Sequence, residues 1–165
     1  FPYTTLFRSP NTWPPNLDST EEMHAVLDTN IVIDLLHFAD PRARTLREAI
    51  DRKELTCFTD QPCFAELERV AAYPQFALDD DAREALLANY RHFVGVCEAD
   101  GPEDYALPRC RDADDQKFLV LAVRCRAELL ITRDRGLLTL ARQRRWPLPY
   151  AIVTAEAAGS LIASH

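Results

Sequence analysis

The chain has 165 residues, 47% of them hydrophobic and 27% charged, with a formal net charge of −7. That length suffices for one domain with a real core, and the composition is that of an ordinary globular chain. The negative balance argues against bulk electrostatic attachment to nucleic acid, leaves room for a local basic groove and suits a protein that collects cations. No apolar run approaches the roughly 20 residues that cross a bilayer. The five cysteines (Cys57, Cys63, Cys97, Cys110, Cys125) form no CxxC pair and are odd in number. This favours structural thiols in a reducing, cytoplasmic setting over a disulfide framework or a zinc site, with a Cys–His nucleophile as a minor reading.

The first segment, "FPYTTLFRSPNTWPPNLDSTEE", has four prolines, no amphipathic period and no apolar stretch after Arg8 that would make a secretory signal. The string PYTTLFRS resembles translated sequencing-adapter DNA. Residues 1–22 are therefore expected to be a non-native or disordered extension, with a natural start at Met23 and one domain over 23–165. From there, short β-like runs alternate with helical ones. "HAVLD" reads as a strand and "NIVIDLLHF" as a helix that Thr29 and Asn30 can cap. "RARTLREAIDR" is amphipathic, with Leu46 and Ile50 four residues apart. "LTCFT" is a strand, and Asp60 with Pro62 starts the helix "CFAELERVAAY". A helix over 80–93, a strand "FVGVCE" and a Gly/Pro-containing loop follow. Then come the helix "DADDQKFLVLAVRCRA", the strand "ELLIT", the helix "RGLLTLARQRR", the strand "YAIVT" and the helix "AEAAGSLIA". This alternation predicts an α/β fold with a parallel sheet covered by helices on both faces.

In such sheets ligands bind beyond the carboxyl ends of the strands, and acids collect there. Asp28 ends the first strand and Asp134 follows "ELLIT". In the helix "RDADDQKFLVLAVRC", Asp115 shares the face of Phe118, Leu119 and Ala122, and Asp112, three residues earlier, shares that side, whereas Asp114 projects away. Glu66 and Glu68 both flank an apolar stripe, and periodicity does not choose between them. Each acid also has a structural explanation: Asp28, Asp134 and Asp112 as helix caps, Glu66 as a surface residue. Asp34 reads as a solvent-facing helix residue. Several carboxylates converging on one crevice repel one another unless a cation neutralises them. A set of oxygen ligands without Cys or His suits Mg²⁺ or Mn²⁺, and one or two such ions can activate water and stabilise phosphoryl oxygens in hydrolysis.

"AVLDTNIVIDLL", "FAELERV", "CRDADDQKFLVLAV" and "ELLITRDRGLL" occur in the order and approximate spacing of a PIN domain, and the chain resembles the bacterial VapC-like toxin subgroup from residue 23 to about 160. The resemblance implies a three-layer α/β/α sandwich with a central, mainly parallel sheet. It also implies a Mg²⁺/Mn²⁺-dependent ribonuclease. By motif it assigns Asp28, Glu66 (over Glu68), Asp115 and Asp134 to catalysis and metal binding, Asp112 as an additional metal ligand, and Asn30 and Thr132 as residues that orient ligands or water. One departure stands out: in many toxins of this class the third acid directly precedes the apolar run, and here Gln116 holds that place. Arg133, Arg135, Arg142, Arg144, Arg145 and Trp146 are candidates for holding RNA, although arginines in "RQRRW" also suit a solvated helix end. A toxin implies a cognate antitoxin, and the family also suggests a homodimer.

Three rivals are weaker. A haloacid-dehalogenase-like phosphatase needs a second aspartate two residues after the first, and that position is Asn30. A receiver domain lacks its strand-end lysine, and "DADDQ" lacks the glycine turn and terminal glutamate of an EF-hand. A PIN-like RNA- or protein-binding module without catalysis is the main alternative.

Overall fold

The computed structural model describes residues 22–164, so residues 1–21 of the expected extension lie outside the described residues. Five strands are present: β1 (Met23–Leu27), β2 (Leu55–Thr59), β3 (Val94–Val96), β4 (Leu129–Ile131) and β5 (Ala151–Val153). All pair in parallel in the order β3-β2-β1-β4-β5, with Ala25 beside Cys57 and Leu129, and Leu27 beside Ile131. The α-helices among the described residues are α1 (Thr29–Ile33), α2 (Arg44–Asp51), α3 (Gln61–Ala71), α4 (Asp80–Phe93), α5 (Gln116–Arg124), α6 (Arg135–Leu140) and α7 (Ala155–Ala163).

The two-residue period of the strands sorts their side chains into two cores. Ala25, Leu27, Leu55, Cys57, Leu129 and Ile131 pack with Ile31 of α1, Leu46 and Ile50 of α2, Leu86 and Leu87 of α4 and Ile162 of α7. Val26, Phe58, Leu130 and Ile152 face the other way, onto Phe118, Leu119, Leu121 and Ala122 of α5 and Leu137 of α6. The result is the α/β/α sandwich that the alternation of elements predicts. The chain steps outward from β1 to β2 to β3, then crosses back to β4 on the other side of β1. The order therefore reverses between β1 and β4, and at such a reversal open α/β sheets bind ligands in the crevice beyond the carboxyl ends of the strands.

The starts of the helices follow the sequence. Asp60 accepts from the Cys63 N–H at 2.9 Å to cap α3, Asp79 from Ala82 at 2.7 Å to cap α4, and Thr154 from Ala157 at 3.2 Å to cap α7. Three expectations change. The helix at "DADDQ" begins with a tight 3-10 turn, Ala113–Asp115, because Asp112 takes the Asp114 N–H on its side chain at 2.9 Å and the Asp115 N–H on its carbonyl at 3.1 Å. The helix after β4 stops at Leu140 instead of running through "RQRR". Gln143 there closes a turn by accepting the Trp146 N–H at 2.8 Å, just before Pro147. Asp34 does not face solvent. It is 8% exposed and accepts from the Arg133 Nε at 2.9 Å, because α1 leaves β1 directly beside the loop that leaves β4.

Gln116, at the position where the motif departs from its relatives, also has a structural role. Its side chain accepts from the Cys110 N–H at 2.9 Å and donates to the Pro108 carbonyl at 3.0 Å, pinning the preceding loop. The other end of α5 anchors the same loop. Arg124 forks onto Glu103 at 2.7 and 2.8 Å and reaches Asp60 Oδ2 at 2.9 Å and the Cys97 carbonyl at 2.6 Å. That hydrogen-bonded guanidinium holds the Glu103 carboxyl below the usual range. One side chain thus joins α5 to the start of α3 and the end of β3. Replacing Arg124 by Ala strands the Asp60 carboxylate, whose side chain is 3% exposed. A loss of roughly 3–5 kcal/mol is expected, as for other buried ion pairs broken on one side. Urea unfolding at pH 7 measures it, and a loss below about 1 kcal/mol would show the network to be solvated, like a surface pair.

Candidate active site

β1 delivers Asp28 to the crevice: its N–H continues the ladder by donating to the Ile131 carbonyl at 2.9 Å. Asp28 stands at the N-cap position of α1, yet its side chain makes no capping hydrogen bond. Its Oδ2 instead accepts from the Thr132 hydroxyl at 2.7 Å, across the gap between β1 and β4. The carboxyl is 4% exposed and the threonine fully buried. Thr132 Oγ1 in turn accepts from the Asp134 N–H at 3.0 Å, so one hydroxyl fixes one acid's side chain and the other acid's backbone. Asp134 does cap, accepting from the Leu137 N–H on Oδ2 at 2.9 Å. Gly136 makes room for it, since a Cβ there would stand 3.0 Å from that oxygen.

Glu66 arrives from the second turn of α3, with its side chain 11% exposed. Oε1 accepts from Lys117 Nζ at 2.7 Å, Oε2 accepts from the Thr29 hydroxyl, and Arg69 lies 3.8 Å away. Asp115 closes the 3-10 turn, is half-buried and makes no capping hydrogen bond. In a turn of three residues, positions i and i+3 eclipse, which keeps Asp112 on the side of Asp115, although Asp112 and Asp114 are both exposed. The Asn30 side chain makes no hydrogen bond among the described residues.

The electrostatics tie these acids together. Burial pushes the Asp28 carboxyl up to about 6, against the Thr132 hydrogen bond, and the charges of Glu66 and Asp134 add to the rise. Burial also pushes Asp115 up to about 7, reinforced by Asp28, Asp134, Asp112 and Glu66. Elsewhere near the crevice each buried acid has its own cation: Asp60 has Arg124, Asp34 has Arg133 and Glu66 has Lys117. Asp28, Asp115 and Asp134 have none among the described residues. Among those residues no three His, Cys, Asp or Glu side chains form a ready-made metal cage. The donor chemistry nonetheless fits a hard divalent cation: carboxylates only, mutually repelling, with no cationic side chain to relieve them. Burial raises the nearby Cys110 thiol to about 11 and Cys97 likewise, while Cys57 rises to about 12, so each is a neutral thiol at pH 7.

The candidate RNA-holding side chains fall into two groups. Arg133 and Arg135 flank Asp134, with Arg133 engaged by Asp34 and its side chain 49% exposed. Arg142, Arg144, Arg145 and Trp146 are exposed in the turn after α6, where Arg144 lines a surface pocket with Ala151 at the entry of β5. β5 runs parallel to β4, so that turn leads away from the strand ends that carry the acids. Sequence reasoning missed Lys117 altogether and took Thr29 only as a possible cap. The signal for Lys117 was a lone cation two residues after Asp115, at the start of an otherwise apolar helix.

Because the Asp28 carboxyl is raised in the folded chain, its contribution to stability is full below pH 4 and is lost as pH rises through 6. From 3.8 to about 6 the cost of ionising it in the fold is about 3 kcal/mol. In the presence of chelator, thermal unfolding is expected to show falling stability between pH 5 and 8. Asp28→Asn should flatten that slope, and millimolar Mn²⁺ should restore the wild type at pH 8. A wild-type profile that rises over this window would contradict the burial of an unpaired acid.

No curated protein matches the chain. Among solved structures it is similar to the crystal structure of PAE2754 from Pyrobaculum aerophilum, at 17% identity and a TM-score of 0.56, over 92% of this chain and 98% of that one; at that identity the likeness concerns the fold. A family model described as PIN domain matches residues 24–136, from the second residue of β1 to the first turn of α6, and so encloses every acid of the crevice. The chain belongs to the PIN domain family.

Proposed function

We propose that this chain is a Mg²⁺- or Mn²⁺-dependent endoribonuclease that acts as the toxin of a toxin–antitoxin pair. PIN domains are generally metal-dependent nucleases, and the observation that carries the reading here is Asp28. It is a buried carboxylate at the strand reversal, not used as a cap, held by Thr132, and left with Asp115 and Asp134 without a cationic partner. Asp28, Asp115 and Asp134 would hold the ion, with Glu66 and Asp112 at the edge of the same field. When bound, a divalent ion supplies an activated water and charge neutralisation at the phosphoryl oxygens.

The chain's own groups do the rest. Thr132 orients Asp28 and fixes the backbone of Asp134 with one oxygen. Arg133, held at one edge by Asp34, and Arg135 beside it present cations to a phosphodiester backbone at the mouth of the crevice. The distal Arg142, Arg144, Arg145 and Trp146 would bind RNA farther along the strand. An antitoxin would act by covering the acidic crevice, and a homodimer would place two such crevices in one assembly. A PIN-like binding module without catalysis is the second reading, favoured by the engagement of Glu66 with Lys117 and Thr29.

The test is cleavage of mixed single-stranded and structured RNAs with Mg²⁺, Mn²⁺ or EDTA. Cleavage is expected with either metal and not with EDTA, and Asp28→Asn should reduce it at least about 100-fold, as for loss of a group that stabilises the reacting charge. Thr132→Val, which keeps the shape and removes the hydroxyl, should cost about 10–100-fold in metal affinity or activity. Metal bound without cleavage of any RNA would favour the binding module. Growth arrest on expression, lost with Asp28→Asn, tests the toxin role.

A further inference from the structure

The Lys117 ammonium occupies a built position beside the acids. Its Nζ donates to Glu66 Oε1 at 2.7 Å and to the Asp114 carbonyl at 2.6 Å, and the side chain is 23% exposed. It sits in the first turn of α5, where the helix dipole disfavours a cation, so it is the partners that hold it there. The contact crosses from α5 to α3, between residues 51 positions apart in the chain. Glu66 is saturated as a result: one oxygen faces Lys117, and the other faces the Thr29 hydroxyl. The remaining acids divide cleanly from this pair. Asp28 and Asp115 have no ion pair among the described residues, and the oxygens of Asp134 are drawn on only by a backbone N–H.

Nucleases that use two metal ions place them about 4 Å apart, so that one cation serves each side of the phosphoryl group. A lysine ammonium is a cation of the same sign fixed to the chain, with three donors that can reach phosphate oxygens. We infer that this site takes one divalent ion, at Asp28, Asp115 and Asp134, and that the Lys117 ammonium stands beside Glu66 in place of a second. The inference rests on the metal-dependent reading above and adds to it the ion count and the role of Lys117 as a charge-compensating residue. Glu66 then serves to position Lys117 and not as an ion ligand. Removing the ammonium leaves Glu66 Oε1 with the exposed Arg69 at 3.8 Å as its remaining cation and releases the Asp114 carbonyl, two oxygen donors suited to a hard cation.

The experiment is Mn²⁺ binding to the full chain at pH 7.5, with stoichiometry read by calorimetry and by the free-ion electron paramagnetic resonance signal. Wild type and Lys117→Arg are expected to bind one ion per chain, and Lys117→Met and Lys117→Gln two, with Glu66→Gln in the Lys117→Met background returning the count to one. Circular dichroism checks that each variant is folded. Two ions in the wild type, a result that needs no variant, overturns the inference and leaves the metal-dependent reading standing. One ion in folded Lys117→Met or Lys117→Gln does the same. No ion in the wild type removes both readings.

Discussion

The hydrogen bond from Thr132 to Asp28 is the contact on which the site depends. A carboxylate on a residue that is 4% exposed is largely withdrawn from bulk water, and here the side chain that holds it is a neutral hydroxyl. Burial of that kind is costly unless a counter-charge arrives. The fold accepts the cost because β1 and β4 lie side by side and both end at the same level. Their parallel register sets Leu27 beside Ile131, so Asp28 and Thr132 become neighbours with no further adjustment. Strand order also reverses at this seam, the position at which open α/β sheets bind ligands.

Around that seam, structure and function are divided among residues of the same type. Asp60, Asp79 and Asp134 all sit at helix starts and cap, as aspartates after extended segments commonly do. Asp28 sits at a helix start and does not cap. The difference is the neighbouring strand: Thr132 offers Asp28 a hydroxyl, and the Thr29 hydroxyl is turned away to Glu66. The role of an acid at a strand end is therefore set by the next strand in the sheet, not by its own local sequence.

This explains which parts of the molecule could be read from the sequence. The five strands, the sandwich and the strand-end location of Asp28 and Asp134 follow from period, length and turn residues, all local properties. The choice of Glu66 over Glu68 did not follow from periodicity and came from the family resemblance; in the structure Glu66 reaches Thr29 and Lys117, while Glu68 is exposed. Asp34 was misread for the same reason that Lys117 was missed. Each is defined by a partner far away in the chain, Arg133 for one and Glu66 for the other, and no local pattern encodes such a pairing. The extent of α6 was overestimated because a basic, helix-compatible stretch gives no warning of a side-chain turn such as the one Gln143 makes.

The distribution of fixed cations carries the chemical argument one step further. Arg124, from the end of α5, is shared by Asp60 and Glu103; Arg133, from the loop after β4, engages Asp34, and Lys117, from the start of α5, engages Glu66. If the fold simply needed this edge neutralised, a fourth such residue opposite Asp28 or Asp115 would serve, and either acid would then ionise at its ordinary pH. Instead these two carboxyls are raised to about 6 and about 7, with Asp134, which caps α6, close by. The buried acids Asp34, Asp60 and Glu66 thus have ion-pair partners, and Asp28 and Asp115 have none among the described residues. That arrangement costs the chain stability at neutral pH, and a divalent cation bound there would recover that cost. The three tethered cations set where that charge deficit lies, because the acids they neutralise no longer add to it.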